Sequence, residues 1–299
     1  MRRRRELRGV RYFHVRTGSN DLRLVARDGE SGYDLTAARP AVSSFRDLAM
    51  VASATNRGVD DVAEGIVSDA PVVGTESVET ATARPLVPDE VWAAGVTYEA
   101  SDDARQTESD RPDLYQDVFE NERPELFFKA TPSRTVGPDD RVGIRADSDW
   151  DVPEPELGVV LYEGDIVGYT VGNDMSSRDI EGQNPLYLPQ AKVYDRCCAV
   201  GPCVASPETV GDPHELDVRM TIRRDGETAF EGETNTSLMA RTCEELVSSL
   251  TRHDAVPELA VLLTGTSIVP PTEFTLREDD HVEIDIESIG TLANAVTVV

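Results

Sequence analysis

Two short alternations of apolar and polar residues open the chain, over Arg11–Val15 and Leu22–Ala26, and predict strands. A helical-period stripe from about Ser44 to Ala54 predicts an amphipathic helix. This block, residues 1–85, reads as a small α+β domain. The prolines of Ala83-Arg-Pro-Leu-Val-Pro-Asp89 favour extended backbone and mark a connector into the remainder, residues 86–299. Trp92–Tyr98 follows as a strand candidate, and the charged stretch Ala100–Glu122 as helix or loop. Beyond it the pattern is mostly strand-like: Leu126–Ala130, Leu157–Tyr162, Ile166–Asn173, Cys198–Val204, Leu216–Arg223, Glu227–Glu233, His281–Glu287 and Thr291–Val299. Asp225-Gly226 is a strong signal for a tight hairpin turn, because both residues tolerate positive φ. One helix, roughly Ser237–Arg252, interrupts the strands. Many strands with one late helix predict a mostly β, rolled or sandwich-like domain behind the small N-terminal one.

Within this β pattern three acids stand where acids are disfavoured: Glu154, Glu156 and Asp174. Glu154 and Glu156, two apart in a strand, point to one face with their backbones roughly 7 Å apart. Two like charges on one face are costly unless a cation lies between them. Pro155 has no N–H to give, so that strand end belongs at an edge or a bulge. Register places Asp174. A three-residue loop at Glu163-Gly164-Asp165 pairs Tyr162 with Ile166 and sets Asp174 opposite Glu154, whereas a two-residue loop turns it to the other face. We therefore predict the three-residue loop. Three carboxylates on one face suit Mg²⁺, with Mn²⁺ or Ca²⁺ in its place, and leave about three octahedral positions for water or substrate. The same alternation recurs at Glu283, Asp285 and Glu287, so spacing by itself does not select the site.

Composition narrows the partners. Against 29 basic residues stand 56 acidic ones, a net charge of −27 that repels nucleic acid and anionic membranes. It reads as a solvated acidic surface adapted to high salt, in a cytoplasm that screens it. The one basic cluster, Met1-Arg-Arg-Arg-Arg5 with Arg8, Arg11 and Arg16, lacks the apolar run of a twin-arginine export signal. It reads as a disordered tail or a start placed too early. No stretch approaches 18 apolar residues, so no membrane span is expected. Cys197, Cys198, Cys203 and Cys243 have neither zinc nor disulfide spacing and read as core thiols of a reducing compartment. All but two of the basic residues are arginine. The exceptions, Lys129 and Lys192, point to proton chemistry that arginine cannot perform.

Taken in order, Gly95-Val-Thr-Tyr98, Glu125-Leu-Phe-Phe-Lys129, Glu154-Pro-Glu156, Asn173-Asp-Met-Ser-Ser-Arg178-Asp179, Ala191-Lys192, Gly201-Pro202, Gly265-Thr266 and Ile289-Gly-Thr-Leu-Ala-Asn294 resemble the fumarylacetoacetate hydrolase family over about residues 90–299. The resemblance implies a fumarylacetoacetase C-terminal-like mixed β-roll domain, Mg²⁺ on Glu154, Glu156 and Asp174, and a homodimer or homotetramer. The run from Val152 to Leu157, the run from Ser177 to Lys192 and Leu263-Thr-Gly-Thr-Ser-Ile-Val-Pro-Pro271 are similar to one archaeal branch, the 2-keto-3-deoxy-D-arabinonate dehydratases. Hydrolases of the family carry a histidine just after the Asn-Tyr strand end. The segment here, Thr97-Tyr-Glu-Ala-Ser-Asp-Asp-Ala104, has none, and His14, His214, His253 and His281 lie elsewhere in the sequence.

That departure counts against carbon–carbon hydrolysis and leaves dehydration of a small 2-oxo sugar acid as the expected reaction, with an acylpyruvate hydrolase or oxaloacetate decarboxylase as the alternative. Lys192 and Glu125 are the candidate proton carriers, with Lys129 as a partner to substrate or carboxylate. Burial near a cation is expected to push a lysine toward its neutral form. The resemblance implies Arg178 and Thr266, with Ser176, as holders of substrate oxygens. Ser176, Ser177 and Asp179 equally fit a capped turn after the strand. D-arabinose and D-xylose lead to one and the same 2-keto-3-deoxy acid, so either sugar is a possible source.

Overall fold

The computed structural model describes residues 7, 9–18, 21–74, 78, 82–99, 118 and 121–299. Residues 1–6 of the arginine-rich start, and nearly all of Ala100–Glu122 including Asp102 and Asp103, lie outside the described residues. The predicted strands assemble mainly into one large sheet. In space it runs Val72–Val73, Ser31–Asp34, Leu22–Asp28, Val10–Arg16, Cys198–Ala205, Asp165–Asp174, Pro155–Tyr162, Leu259–Leu263, Glu90–Gly95 and Glu125–Ala130. The N-terminal strands thus join the edge of the sheet that carries the acids, through antiparallel pairing of Val10–Arg16 with Cys198–Ala205. A second sheet, in the order Glu227–Asn235, Asp217–Arg224, His281–Ile286, Gly290–Val298 and Arg141–Ile144, packs over the strands at Cys198–Ala205 and Asp165–Asp174. Glu283, Asp285 and Glu287 belong to this second sheet and its end, away from the other three acids.

Hydrophobic burial explains the centre. Every residue of Pro155–Tyr162 is buried, as is every residue of Leu259–Leu263 beside it, so these strands are covered on both faces. The Leu259–Leu263 strand escaped the alternation test because five apolar residues in a row carry no period. Within the first block, the predicted helix forms where its sequence directs. Ser44 caps the Phe45–Thr55 helix through a capping box with Asp47, and Phe45, Leu48, Ala49 and Ala52 make its buried stripe. The Asp225-Gly226 turn has positive φ at both residues, as predicted.

One helix needs correction. The predicted Ser237–Arg252 helix begins only at Cys243 and ends at Thr251, after a separate 3₁₀ turn at Thr236–Leu238. Thr242 sets the start: its hydroxyl accepts the Glu245 N–H while the Glu245 carboxylate accepts the Thr242 N–H. Thr-x-x-Glu at 242–245 is the sequence signature of that capping box.

The hairpin between the acids also departs from expectation. Its loop has two residues, Glu163 and Gly164, both with positive φ, so Tyr162 pairs with Asp165 and not with Ile166. Pairing then shifts between Val160 and Leu161: Leu161 faces Ile166, but Val160 faces Gly168, leaving Val167 as the extra residue of a β-bulge. The bulge restores the register that the shorter loop would have lost. Pro155 pairs with Asn173, and the Asp174 N–H donates to the Glu154 carbonyl at 2.9 Å.

Candidate active site

Restored register brings Asp174 beside Glu154, with Glu156 two residues along the same face. Ligand oxygens of the three carboxylates lie within 4.8 Å of one another, and all three residues are buried. Such a cluster is held against its own repulsion. Burial pushes the Glu156 carboxyl well above the usual range, and the neighbouring Asp174 and Glu154 charges push it further. Cations answer that charge. Lys192 Nζ lies 2.8 Å from Glu154 Oε2 and 3.3 Å from Asp174 Oδ2; Lys129 Nζ lies 2.5 Å from Asp174 Oδ1; Arg178 Nη2 lies 3.0 Å from Glu154 Oε1. Three buried acids carrying hard oxygen donors fit a divalent cation of the Mg²⁺ type, which would lower the repulsion that raises Glu156.

The chain around Asp174 delivers the cations. After the Asp165–Asp174 strand, Ser176–Ser177 pairs with Asp151–Val152. Asp179 accepts hydrogen bonds from the Ser177 and Ser148 hydroxyls and from the Asp149 and Ile180 N–H groups, the capped turn that the sequence allowed. Arg178 then begins a short helix to Gln183, and a second helical turn, Leu188–Lys192, carries Lys192 back to the acids. There Lys192 also donates to Ser176 Oγ at 2.6 Å and sits 5.4 Å from the Phe127 ring centre. Lys129, fully buried, donates to the carbonyls of Met175 and Lys192 and so ties the two segments together. Burial is the largest influence on the Lys129 ammonium and lowers it, but the Asp174 charge together with its other neighbours leaves it above the ordinary lysine value.

A narrow cavity opens on this cluster, lined by Glu125, Glu154, Glu156, Asp174, Arg178, Lys192 and Thr266 of the predicted residues. Lys129 and Ser176 stand behind its wall, with no exposed surface, and reach it only through Asp174 and Lys192. Among the described residues, no histidine lines the cavity. Phe127, Glu181, Gly95 and Gly265 also line it and were not singled out in the sequence. The glycines could have been, since they sit within the Gly95-Val-Thr-Tyr98 and Gly265-Thr266 motifs. Each makes room for a carboxylate's surroundings: a Cβ on Gly95 would lie 2.0 Å from Glu125 Oε2. Gly265, at φ +87°, donates its N–H to Glu156 Oε2 at 2.6 Å.

Comparison with known proteins agrees with this geometry. The family description "Fumarylacetoacetate (FAA) hydrolase C-terminal" matches residues 90–297. A probable 2-keto-3-deoxyxylonate dehydratase of Haloferax volcanii is 58% identical over 288 residues, covering 96% of this chain and 100% of the relative. A 2-dehydro-3-deoxy-D-arabinonate dehydratase of Saccharolobus solfataricus is 44% identical over 218 residues, covering 71% of this chain and 73% of the relative. Among solved structures, 2-keto-3-deoxy-D-arabinonate dehydratase complexed with magnesium and 2,5-dioxopentanoate superposes with a TM-score of 0.81 at 33% identity, over 97% of this chain and 99% of that one.

Proposed function

The chain belongs to the fumarylacetoacetate hydrolase family, and from that premise we propose that it is a Mg²⁺-dependent hydro-lyase. It converts 2-keto-3-deoxy-D-pentonate, reached from D-arabinonate or D-xylonate, to 2,5-dioxopentanoate (2-oxoglutarate semialdehyde) and water. The observation that carries this reading is the buried Glu154–Glu156–Asp174 cluster with Lys192 upon it, in a chain 58% identical along its length to a probable dehydratase of that substrate class. Glu154, Glu156 and Asp174 would hold the ion, which when bound supplies Lewis acidity toward the 2-oxo acid group.

The reaction needs a proton removed at C3, the C4 hydroxyl expelled as water, a proton lost at C5 and one regained at C3; the resulting C4–C5 enol then takes a proton at C4 and gives up its hydroxyl proton to become the aldehyde. No redox change accompanies it. Lys192 and Glu125 are assigned the proton transfers, since both line the cavity. Lys129, 2.5 Å from Asp174 Oδ1, orients that carboxylate from behind the wall. Arg178 and Thr266 bind substrate oxygens, and Ser176 positions Lys192 through its 2.6 Å hydrogen bond. A described cavity lining without histidine favours elimination over carbon–carbon hydrolysis. No helix of the described residues is long and apolar enough to cross a membrane. We further read the protein as a cytoplasmic, salt-adapted homodimer or homotetramer, on the strength of its net charge of −27 and its family.

The test is turnover of 2-keto-3-deoxy-D-pentonate by the full chain with Mg²⁺, followed by oxidation of the aldehyde product with a coupled semialdehyde dehydrogenase. Activity that disappears in EDTA and returns with Mg²⁺ is expected. No turnover there, with activity on acylpyruvate or oxaloacetate instead, would transfer the assignment to a hydrolase or decarboxylase.

A further inference from the structure

Two consecutive amides after the Leu259–Leu263 strand face the strand that carries Glu156. The Thr264 N–H donates to the Leu157 carbonyl at 3.1 Å, and the Gly265 N–H donates to Glu156 Oε2 at 2.6 Å. That second N–H belongs to the Thr264–Gly265 peptide, a rigid plane whose carbonyl points away from its N–H. The carbonyl end is pinned as well: the Thr97 hydroxyl donates to the Thr264 carbonyl at 2.7 Å. Thr97 is itself fixed. It is 1% exposed, its carbonyl accepts the Ala240 N–H at 2.8 Å, and Tyr98 beside it bridges to Met239. At Gly265 a Cβ would lie 2.0 Å from Thr97 Oγ1 and 3.0 Å from the Ala94 carbonyl oxygen, so only glycine permits this approach. Glycine also leaves the plane free to rotate unless something holds it.

We propose that Thr97 is a positioning residue for the metal site. Its hydroxyl pins the Thr264–Gly265 peptide, and the Gly265 N–H then holds the Glu156 carboxylate in the cluster, against the Asp174 and Glu154 charges that repel it. Thr97 is not among the residues lining the cavity, so it acts only through that peptide. The inference rests on reading Glu154, Glu156 and Asp174 as metal ligands.

The experiment titrates Mn²⁺ into the full-length protein and counts free ion by electron paramagnetic resonance, for wild type, Thr97→Ser and Thr97→Val. Thr97→Val keeps the shape and loses the donor; its Kd for Mn²⁺ is expected to rise about tenfold, the usual scale for an outer partner of a ligand. Thr97→Ser keeps the donor and is expected to restore binding. Should Thr97→Val not fold, Thr97→Cys, with its weak donor, takes its place. Equal binding by Thr97→Val and wild type, or a Thr97→Ser as weak as Thr97→Val, overturns the role of Thr97 while leaving the metal site standing. A wild type that takes up no Mn²⁺ overturns the metal site itself.

Discussion

In the proposed reaction, Lys192 is the residue on which the chemistry turns. It is 2% exposed, yet its ammonium touches Glu154, Asp174 and Ser176 at once. An arginine there would keep the charge but give up no proton near neutral pH. Lys192→Arg is therefore expected to lower kcat by about 100-fold or more, the ordinary scale for a lost acid–base group, as measured by the coupled assay. A variant with normal turnover would remove Lys192 from the mechanism. A second residue is expected to add to acid sensitivity. His14 is buried, with Nδ1 3.2 Å from the Arg84 carbonyl, and burial lowers its pKa to about 4. A depressed histidine is neutral when folded, so its contribution to stability is complete above about pH 6.5 and is lost as pH falls toward 4. That loss amounts to about 3 kcal/mol over the window. In denaturant melts at pH 7 and pH 4.5, His14→Gln, which keeps a donor for Arg84, should show a smaller difference between the two than wild type.

At the scale of elements, the Pro155–Tyr162 and Asp165–Asp174 hairpin decides whether a site exists. The sequence showed which face Asp174 must take, because only that face makes the three acids neighbours. It did not show how. Either a three-residue loop or a two-residue loop with a bulge satisfies the same constraint, and Glu163-Gly164 adopts the second, with positive φ at both residues. Val167, the extra residue, is half-buried and leaves no mark in the alternation. Deleting Val167 should consequently leave every downstream pair intact, and Mn²⁺ affinity should stay within about threefold of wild type. Loss of binding on that deletion would show that the bulge does more than restore register. The short helices that return Arg178 and Lys192 to the acids were likewise unreadable, being too brief to show a period. The Leu259–Leu263 strand was missed for the opposite reason, being apolar without interruption. The residues gathered at the cavity were legible as candidates because each sits in a motif, Gly95 and Gly265 included; what the sequence does not show is the space that the two glycines leave for the carboxylates.

For the whole molecule, charge governs how the fold responds to its solvent. A net charge of −27 favours expansion, and the Debye length over which it acts grows from about 3 Å at 1 M salt to about 10 Å at 0.1 M. Lowering KCl from about 2 M to 0.1 M is expected to reduce Tm by on the order of 10 °C. A Tm independent of salt would detach the acidic composition from salt adaptation. The same composition leaves the chain with two lysines, Lys129 at 0% and Lys192 at 2% exposed, so no lysine ε-amine reaches the surface of the folded protein. A lysine-specific protease or an amine-reactive label therefore finds no lysine target until the strand at Glu125–Ala130 or the turn at Leu188–Lys192 opens. Cleavage after those two positions becomes a direct clock for the opening of the carboxylate cluster, without any probe having to be introduced.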